Sequence, residues 1–368
     1  MKTVNVAIIG FGFMGKTHLY GYETIPLFYQ PSFNINLSAI CTRDPAKARE
    51  AQERFGFGFA AASLDEVLAH KEIDVIDICT PNAAHAQAIL KALDANKNIY
   101  CEKPVASNPQ ETRQILAHPN LHKVITQTVF NNRFYPCTRL AKNLVEEGRL
   151  GNLLSFRARM IMPSNIDPSK PLRWRNTQKE AGGGVLYDLG AHVMDMLTWL
   201  AGPVARVYTK NQIAYATRPD ADGKPVPVDT DDASYSVVTL ENGAVGTAEM
   251  SKLATGMNTD FQIELHGDKG ALKLDFMDPN WLYFYDNTAP LKGFTKIETV
   301  QNYGEAEDFP PGRHPMGWIR GHADSLYRFL SCVARGVPAS PSLEDGLKVQ
   351  QILDAMYASA RAGKEIQL

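Results

Sequence analysis

The stretch VNVAIIGFGFMG, residues 4–15, decides the fold. Residues 4–9 form an apolar, β-branched run broken only by Asn5, the pattern of a central parallel strand buried on both faces. The run ends in glycines at 10, 12 and 15, the GxGxxG spacing. After a strand and before a helix that spacing has a physical use. Gly10 permits a tight turn, Gly12 lets backbone N–H groups approach a pyrophosphate, and Gly15 lets the helix pack closely. A plain glycine-rich turn also meets the spacing, so its surroundings decide. A helix-compatible segment follows, then a second apolar run at 35–40. Gly10, Phe11, Gly12, Phe13, Met14 and Gly15 therefore read as a dinucleotide-binding loop.

Working outward, strands and helices alternate. DPAKAREAQERFG is a helix stopped by Gly56, IDVIDICTP a strand and AAHAQAILKALDAN an amphipathic helix. KNIYCEKP is a strand, NPQETRQILA a helix with Pro109 in its first turn, and KVITQTVF a strand. Alternation of this kind gives right-handed crossovers and a doubly wound parallel sheet, whose ligands bind beyond the carboxyl ends of the strands. CTPN and CEKP are two such ends, so Thr80, Pro81, Asn82, Glu102, Lys103 and Pro104 should line one crevice. His85 follows the first, next to the nicotinamide or as a capping or solvent-facing residue. Lys103 has two readings: a donor to a substrate oxygen, or a surface lysine paired with Glu102.

An acidic residue at the end of the second strand would bind the ribose 2′-hydroxyl of NAD. Here the strand ends SAICTRDP, with Thr42 where the acid would stand and Arg43 beside it. A hydroxyl and a guanidinium suit a 2′-phosphate, which favours NADP. A shift of one or two residues would put Asp44 there and restore NAD.

Beyond residue 128 the pattern changes. NLLSFRARMIM, ASYSVVTLENGAVGTAEMSKL, DFQIELHGDKGALKLDF and WLYFYD read as strands joined at ENG and GDKG. Helices bracket them, and PSLEDGLKVQQILDAMYASARAG closes the chain as an amphipathic helix capped near Ser342. The expected architecture is α/β: a Rossmann dinucleotide-binding domain over 1–128, then an α+β domain over 129–368 with a largely antiparallel open sheet for substrate binding and oligomerisation. FPPGRHPMGWIRGH, residues 309–322, lacks a regular period and reads as an ordered loop over the site.

Within the second domain, GGGVLYDLGAHVMDML (182–197) sets Asp188, His192 and Asp195 on one face of a helix. A satisfied polar seam, a metal site and an acid/base centre all fit that spacing. Two ligands with no third beside them make a poor metal site, so no metal is expected.

With 44% hydrophobic and 21% charged residues, 368 residues suggest two globular domains. The net charge of -2 and the lack of a long basic run exclude a nucleic-acid or membrane-surface binder. No apolar run reaches the roughly 18 residues of a spanning helix. Five scattered cysteines lack metal or redox spacing, and Cys41, Cys79 and Cys101 read as buried hydrophobes in a reducing, cytoplasmic compartment.

GFGFMG, CTPNAAH, CEKP, NNRFYP, GGGVLYDLGAHVMDMLTWLAG, LHGDKGAL and PSLEDGLKVQQILDAMYASA together resemble the glucose-fructose oxidoreductase/inositol dehydrogenase/MocA (Gfo/Idh/MocA) family, in order and over nearly the whole chain. The resemblance implies a nicotinamide-dependent enzyme acting on a sugar, inositol or related polyol, and a homodimer or homotetramer paired through the sheet. It places the catalytic lysine at Lys103, the aspartate at Asp188 and the histidine at His192. Histidine suits removal of a hydroxyl proton near neutral pH as hydride leaves the same carbon. Asp188 could orient His192 or hold a neighbouring hydroxyl, Lys103 could steady the alkoxide, and Asp195 could support the imidazole or serve structure. Arg133, Trp174 and Arg175 match positions that often line the family's pocket, with structural roles as the alternative, and His322 either reaches the pocket or faces solvent. Two other functions share the scaffold: a redox-neutral enzyme with tightly held cofactor, and a non-enzymatic sugar sensor.

Overall fold

The computed structural model describes residues 1–300 and 314–368. The chain forms two compact units, Met1–Asn131 with Trp318–Lys348, and Asn132–Gly317 with Val349–Leu368. Residues 318–348, expected in the second domain, thus fold with the first. Of the expected loop 309–322, residues 309–313 lie outside the described residues, and a helix begins at Trp318.

The first unit alternates as the sequence predicts: β1 (Lys2–Ile9), α1 (Phe13–Phe28), β2 (Phe33–Cys41), α2 (Pro45–Phe55), β3 (Phe59–Ala61), α3 (Leu64–Leu68), β4 (Val75–Ile78), α4 (His85–Asp94), β5 (Asn98–Cys101), α5 (Pro109–Leu116) and β6 (Thr126–Thr128). They build a six-stranded sheet in the order β3-β2-β1-β4-β5-β6, parallel throughout. The order reverses between β1 and β4, which puts the ligand crevice beyond their carboxyl ends. Ile9, Ile76, Ile78, Ile89 and Leu93 pack the space between strands and helices. The helix Trp318–Arg335 lies along α1 at Gly21, where a Cβ would come within 2.6 Å of Leu326 Cδ1. That close fit on α1, invisible in the linear pattern, is why this segment joins the first unit.

The second unit contains α6 (Pro136–Glu146), β7 (Leu153–Ile161), α7 (Gln178–Ala181), α8 (Ala191–Ala201), β8 (Val204–Gln212), β9 (Thr217–Pro219), β10 (Pro225–Pro227), β11 (Ala233–Leu240), β12 (Val245–Ser251), β13 (Asp260–Gly267), β14 (Gly270–Asp275), β15 (Trp281–Asp286) and β16 (Phe294–Glu298). The helix Trp318–Arg335 is α9, Leu343–Ala362 is α10, and Ile366–Gln367 is β17. One nine-stranded sheet runs β16-β15-β14-β13-β7-β12-β11-β8-β17, antiparallel except where β7 meets β12. The ENG and GDKG turns are hairpins, with Gly243 in the left-handed region at φ 88°. Strand alternation buries Ser234, Ser236, Val238 and Leu240 on one face and leaves Tyr235 and Val237 on the other. Helix α8 packs on the covered side, against β7 and β13.

Candidate active site

In the first unit the glycine loop is built for close approach. Gly10 has φ 98°, and a Cβ there would lie 2.7 Å from the Cys79 carbonyl oxygen. At Gly15 a Cβ would meet the Gly10 carbonyl at 2.3 Å, so the loop can close only with glycine at both positions. A Cβ at Gly12 would meet nothing within 4 Å. Gly12 is also the N-cap of α1 and lacks a side-chain cap, so the helix N-terminus opens toward that free space. A pyrophosphate needs such a surface, and the loop fits a dinucleotide. Phe11 packs beneath it on Phe55 and Phe57, whereas Phe13 points outward and stacks on Trp318.

The strand ends are ordered by buried polar groups. Thr80 Oγ1 is buried without a partner among the described residues, and Asn82 is buried beside it. His85 is buried, and its side chain does not cap α4, whose N-cap is Ala84. Its Nδ1 lies 2.7 Å from the Pro104 carbonyl and its Nε2 2.8 Å from the Thr80 carbonyl, so it links the two strand-end loops. Burial lowers its pKa, opposed by the two carbonyls that its ring nitrogens face. Glu102 is also buried and faces His18 on α1, which removes the reading of a surface Glu-Lys pair; Lys103 is half-buried. Cys79 is half-exposed, with its sulfur 3.1 Å from His18 Nδ1, unlike the fully buried Cys41 and Cys101.

In the second unit the segment bearing Asp188 and His192 is not one regular helix. Leu186–Gly190 form a π-helical turn that passes into α8 at Ala191. Such turns widen the helix and recur at functional sites. The three glycines before it are explained by their surroundings: Gly182 ends α7 in the left-handed region, while a Cβ at Gly183 would collide with the Tyr357 hydroxyl and one at Gly184 with the Asp231 backbone. Asp231 accepts from the Gly184 and Leu186 amides and from the Tyr357 hydroxyl, which pins the start of the turn.

Asp188 is held by Lys252 at 2.9 Å, and Lys252 is almost fully buried at the end of β12. The half-buried His192 meets Asn132, whose Nδ2 lies 3.3 Å from Nδ1. Asp195 is buried in a forked ion pair with Arg133, at 3.1 Å from Nε and 2.5 Å from Nη2. Arg133 thereby commits much of its donor fork to structure. Arg175 stacks on Trp174, 4.3 Å from the ring centre, in a short turn before α7. His322 belongs to the first unit, where it is buried with Nδ1 unpartnered among the described residues, so the solvent-facing reading fails.

Sequence reading missed four residues that shape these sites: His18, Asn132, Asp231 and Lys252. His18 follows Gly15 by three and Asn132 lies in NNRFYP, but Asp231 and Lys252 have no local motif.

Two family models match the chain. One, described as the oxidoreductase family NAD-binding Rossmann fold, covers residues 4–130, and its C-terminal alpha/beta domain counterpart covers 142–368. A levoglucosan dehydrogenase from Pseudarthrobacter phenanthrenivorans is 32% identical over 98% of this chain and 97% of its own. The crystal structure of an oxidoreductase domain protein from Kribbella flavida superposes with a TM-score of 0.94 at 30% identity, covering 100% and 99% of the two chains. A levoglucosan dehydrogenase in complex with NADH and levoglucosan gives 0.93 at 31%, with the same coverage.

Proposed function

Because the chain belongs to the Gfo/Idh/MocA oxidoreductase family, it is an NAD(P)-dependent dehydrogenase or reductase of CH–OH groups, and we propose that its substrate is a sugar or related polyol, with Lys103, Asp188 and His192 as the catalytic residues. The end-to-end similarity to levoglucosan dehydrogenase carries this substrate class. The redox-neutral and sensor readings gain no support from these relatives.

When bound, a nicotinamide cofactor accepts or supplies the hydride. The dinucleotide would rest on the loop from Gly10 to Gly15, with Thr80, Pro81, Asn82, His85 and Glu102 at the strand ends near it. His192 moves the substrate's hydroxyl proton, and Asn132 sets its tautomer. As placed, the amide donates to Nδ1 and leaves the proton on Nε2, a hydrogen-bond donor to a substrate oxygen. Turned half around, the amide accepts from Nδ1–H and frees Nε2 to take the proton of an alcohol. The Lys103 ammonium donates to a substrate oxygen and steadies developing negative charge. Asp188, kept as an acceptor by Lys252, binds a neighbouring hydroxyl. Trp174 and Arg175 add a contact to the sugar ring.

NADP is the proposed preferred cofactor, read by Thr42 and Arg43. Five unbridged cysteines support a reducing, cytoplasmic setting, and no described helix is long and apolar enough to cross a membrane. The open sheet face of the second unit supports a homo-oligomer.

The test is a panel of anhydrosugars, aldoses and polyols offered with NAD or NADP while reduced cofactor is followed by absorbance. His192→Asn and Lys103→Ala should each lower turnover by about a hundredfold or more while cofactor binding persists. Near-parental turnover in either variant would remove that residue from the mechanism, and no reduction with any sugar or polyol overturns the substrate class.

A further inference from the structure

Behind the strand ends the first unit buries an ionisable cluster that the proposed chemistry does not use. His18 on α1 is wholly buried, and both ring nitrogens face carboxyl groups. Nδ1 lies 2.9 Å from Asp77 Oδ1, and Nε2 lies 3.2 Å from Glu102 Oε1. Asp77 also accepts from the Tyr22 hydroxyl at 2.9 Å. Glu102 Oε2 in turn accepts the backbone N–H of Lys103 at 3.3 Å. The other titratable groups packed around this pair are Cys79 on β4's loop, Tyr100 and Cys101 on β5, His85 on α4, His322 on α9 and the Lys103 side chain.

The hydrogen-bond logic is restrictive. A carboxylate only accepts, and an imidazole donates from both nitrogens only as the cation. A neutral ring would leave a lone pair facing a buried carboxylate, a repulsion that burial makes costly. Burial alone disfavours a charged His18, but Asp77 and Cys79 outweigh it and hold its pKa well above the usual value. Burial likewise opposes charge on Glu102, yet the hydrogen bond and charge of His18 bring it down to about 2.

We propose that His18 is a permanent imidazolium that keeps Glu102 ionised and so fixes the strand-end loop bearing Lys103, which makes His18 a positioning residue for the lysine. The inference rests on the reading of Lys103 as the group that meets the substrate oxygen. Helix α1 then serves both ends of the chemistry, because the element whose N-terminus faces the pyrophosphate site also carries, three residues after Gly15, the charge that secures the lysine's loop. A buried metal is the competing occupant, because His18, Glu102 and His322, or His18, Asp77 and Cys79, bring ligand atoms within 4.8 Å of one another. A doubly protonated ring has no lone pair to give a metal.

Two measurements test this on the whole enzyme. In protein carrying 15N-histidine, the His18 ring should show two protonated nitrogens from pH 7 to 9, in the unsubstituted chain and independent of turnover. A neutral ring in that range, or a stoichiometric metal surviving chelation, overturns the proposal. The second is the pH profile of kcat. In His18→Gln the Glu102 carboxyl, without its imidazolium, should titrate within about pH 5–8, as buried carboxyls do, and add an acid limb to the one that His192 gives the parent. In the double variant with Glu102→Gln the carboxyl that bonds the Lys103 amide is gone, and Asp77, which keeps the Tyr22 hydroxyl, has no described bond to the lysine's loop, so the added limb should vanish. A His18→Gln profile that overlays the parent's, or an added limb that persists in the double variant, overturns the proposal. If Lys103→Ala instead keeps full turnover, the active-site reading fails, while the protonation of His18 remains separately measurable.

Discussion

Arg43 and Asp44 are neighbours with different duties, and cofactor choice turns on them. Asp44 Oδ1 accepts the amides of Ala46 and Lys47 and caps α2, so its carboxylate is engaged by the helix; Arg43 is exposed directly after Thr42. If Arg43 reads a 2′-phosphate, Arg43→Ala should weaken NADP binding by about 1.5–3 kcal/mol and leave NAD nearly unchanged by calorimetry. Equal losses, or a parental preference for NAD, overturn the NADP assignment. The sequence located these residues from the end of an apolar run but could not distinguish an acid that binds ribose from one that caps a helix, because Asp-Pro suits both. His85 and His322 were illegible for a similar reason: a lone histidine has no period to reveal burial. His322 makes a pH prediction. Burial lowers its pKa from 6.5 to about 3, so the unfolded chain takes up a proton that the folded chain refuses. The stability its neutral form permits is present above pH 6.5 and is lost as pH falls toward 3. Glu102, lowered from 4.5 to about 2, adds a loss over that lower window. The melting temperature should therefore fall on acidification from about pH 6.5, and His322→Gln should flatten the part above about pH 4.5. An unchanged profile in that variant would show that His322 does not govern the upper window.

At the scale of elements, the alternation of strand and helix in the first unit was legible because each element buries a face and so carries a period. The π turn was not, since over five residues its wider winding and an α-helix predict nearly the same face. Strands such as β8 and β16 escaped notice because exposed polar positions interrupt their apolar pattern. What holds the π turn is long-range. Tyr357 on α10 donates to Asp231 and accepts the Gly184 amide at 2.8 Å, and Asp231 receives the two amides at 3.0–3.1 Å. Tyr357→Phe should take a hydroxyl donor from the buried Asp231 carboxylate, leave Asp231 as the acceptor of the Gly184 amide, and cost about 1–3 kcal/mol of stability in denaturant titration. Because the same turn carries Asp188, turnover should fall as well. An unchanged midpoint and unchanged turnover would show that the turn is held by other contacts.

At the scale of the whole molecule, the open face of the large sheet is the feature with a surface consequence. Register places Tyr208, Val237, Thr247, Arg157, Glu264 and Lys273 opposite one another in a single row across β8, β11, β12, β7, β13 and β14. At one end Tyr208, Tyr235 and Val237 are 45–47% exposed, and at the other Glu264 lies 3.5 Å from both Arg157 and Lys273. Adjacent exposed apolar side chains on a wide sheet leave water best by meeting a partner, and a twofold pairing would bring the same patch of two copies together. Light scattering at micromolar concentration should therefore give more than a monomer mass. Val237→Glu puts a charge into the apolar end and has no partner to neutralise it across a twofold axis, where the same glutamate would face its copy. That variant should shift toward monomer while keeping its circular dichroism and cofactor binding. A parent that is monomeric and fully active, or a variant that assembles as the parent does, would remove this face from the assembly.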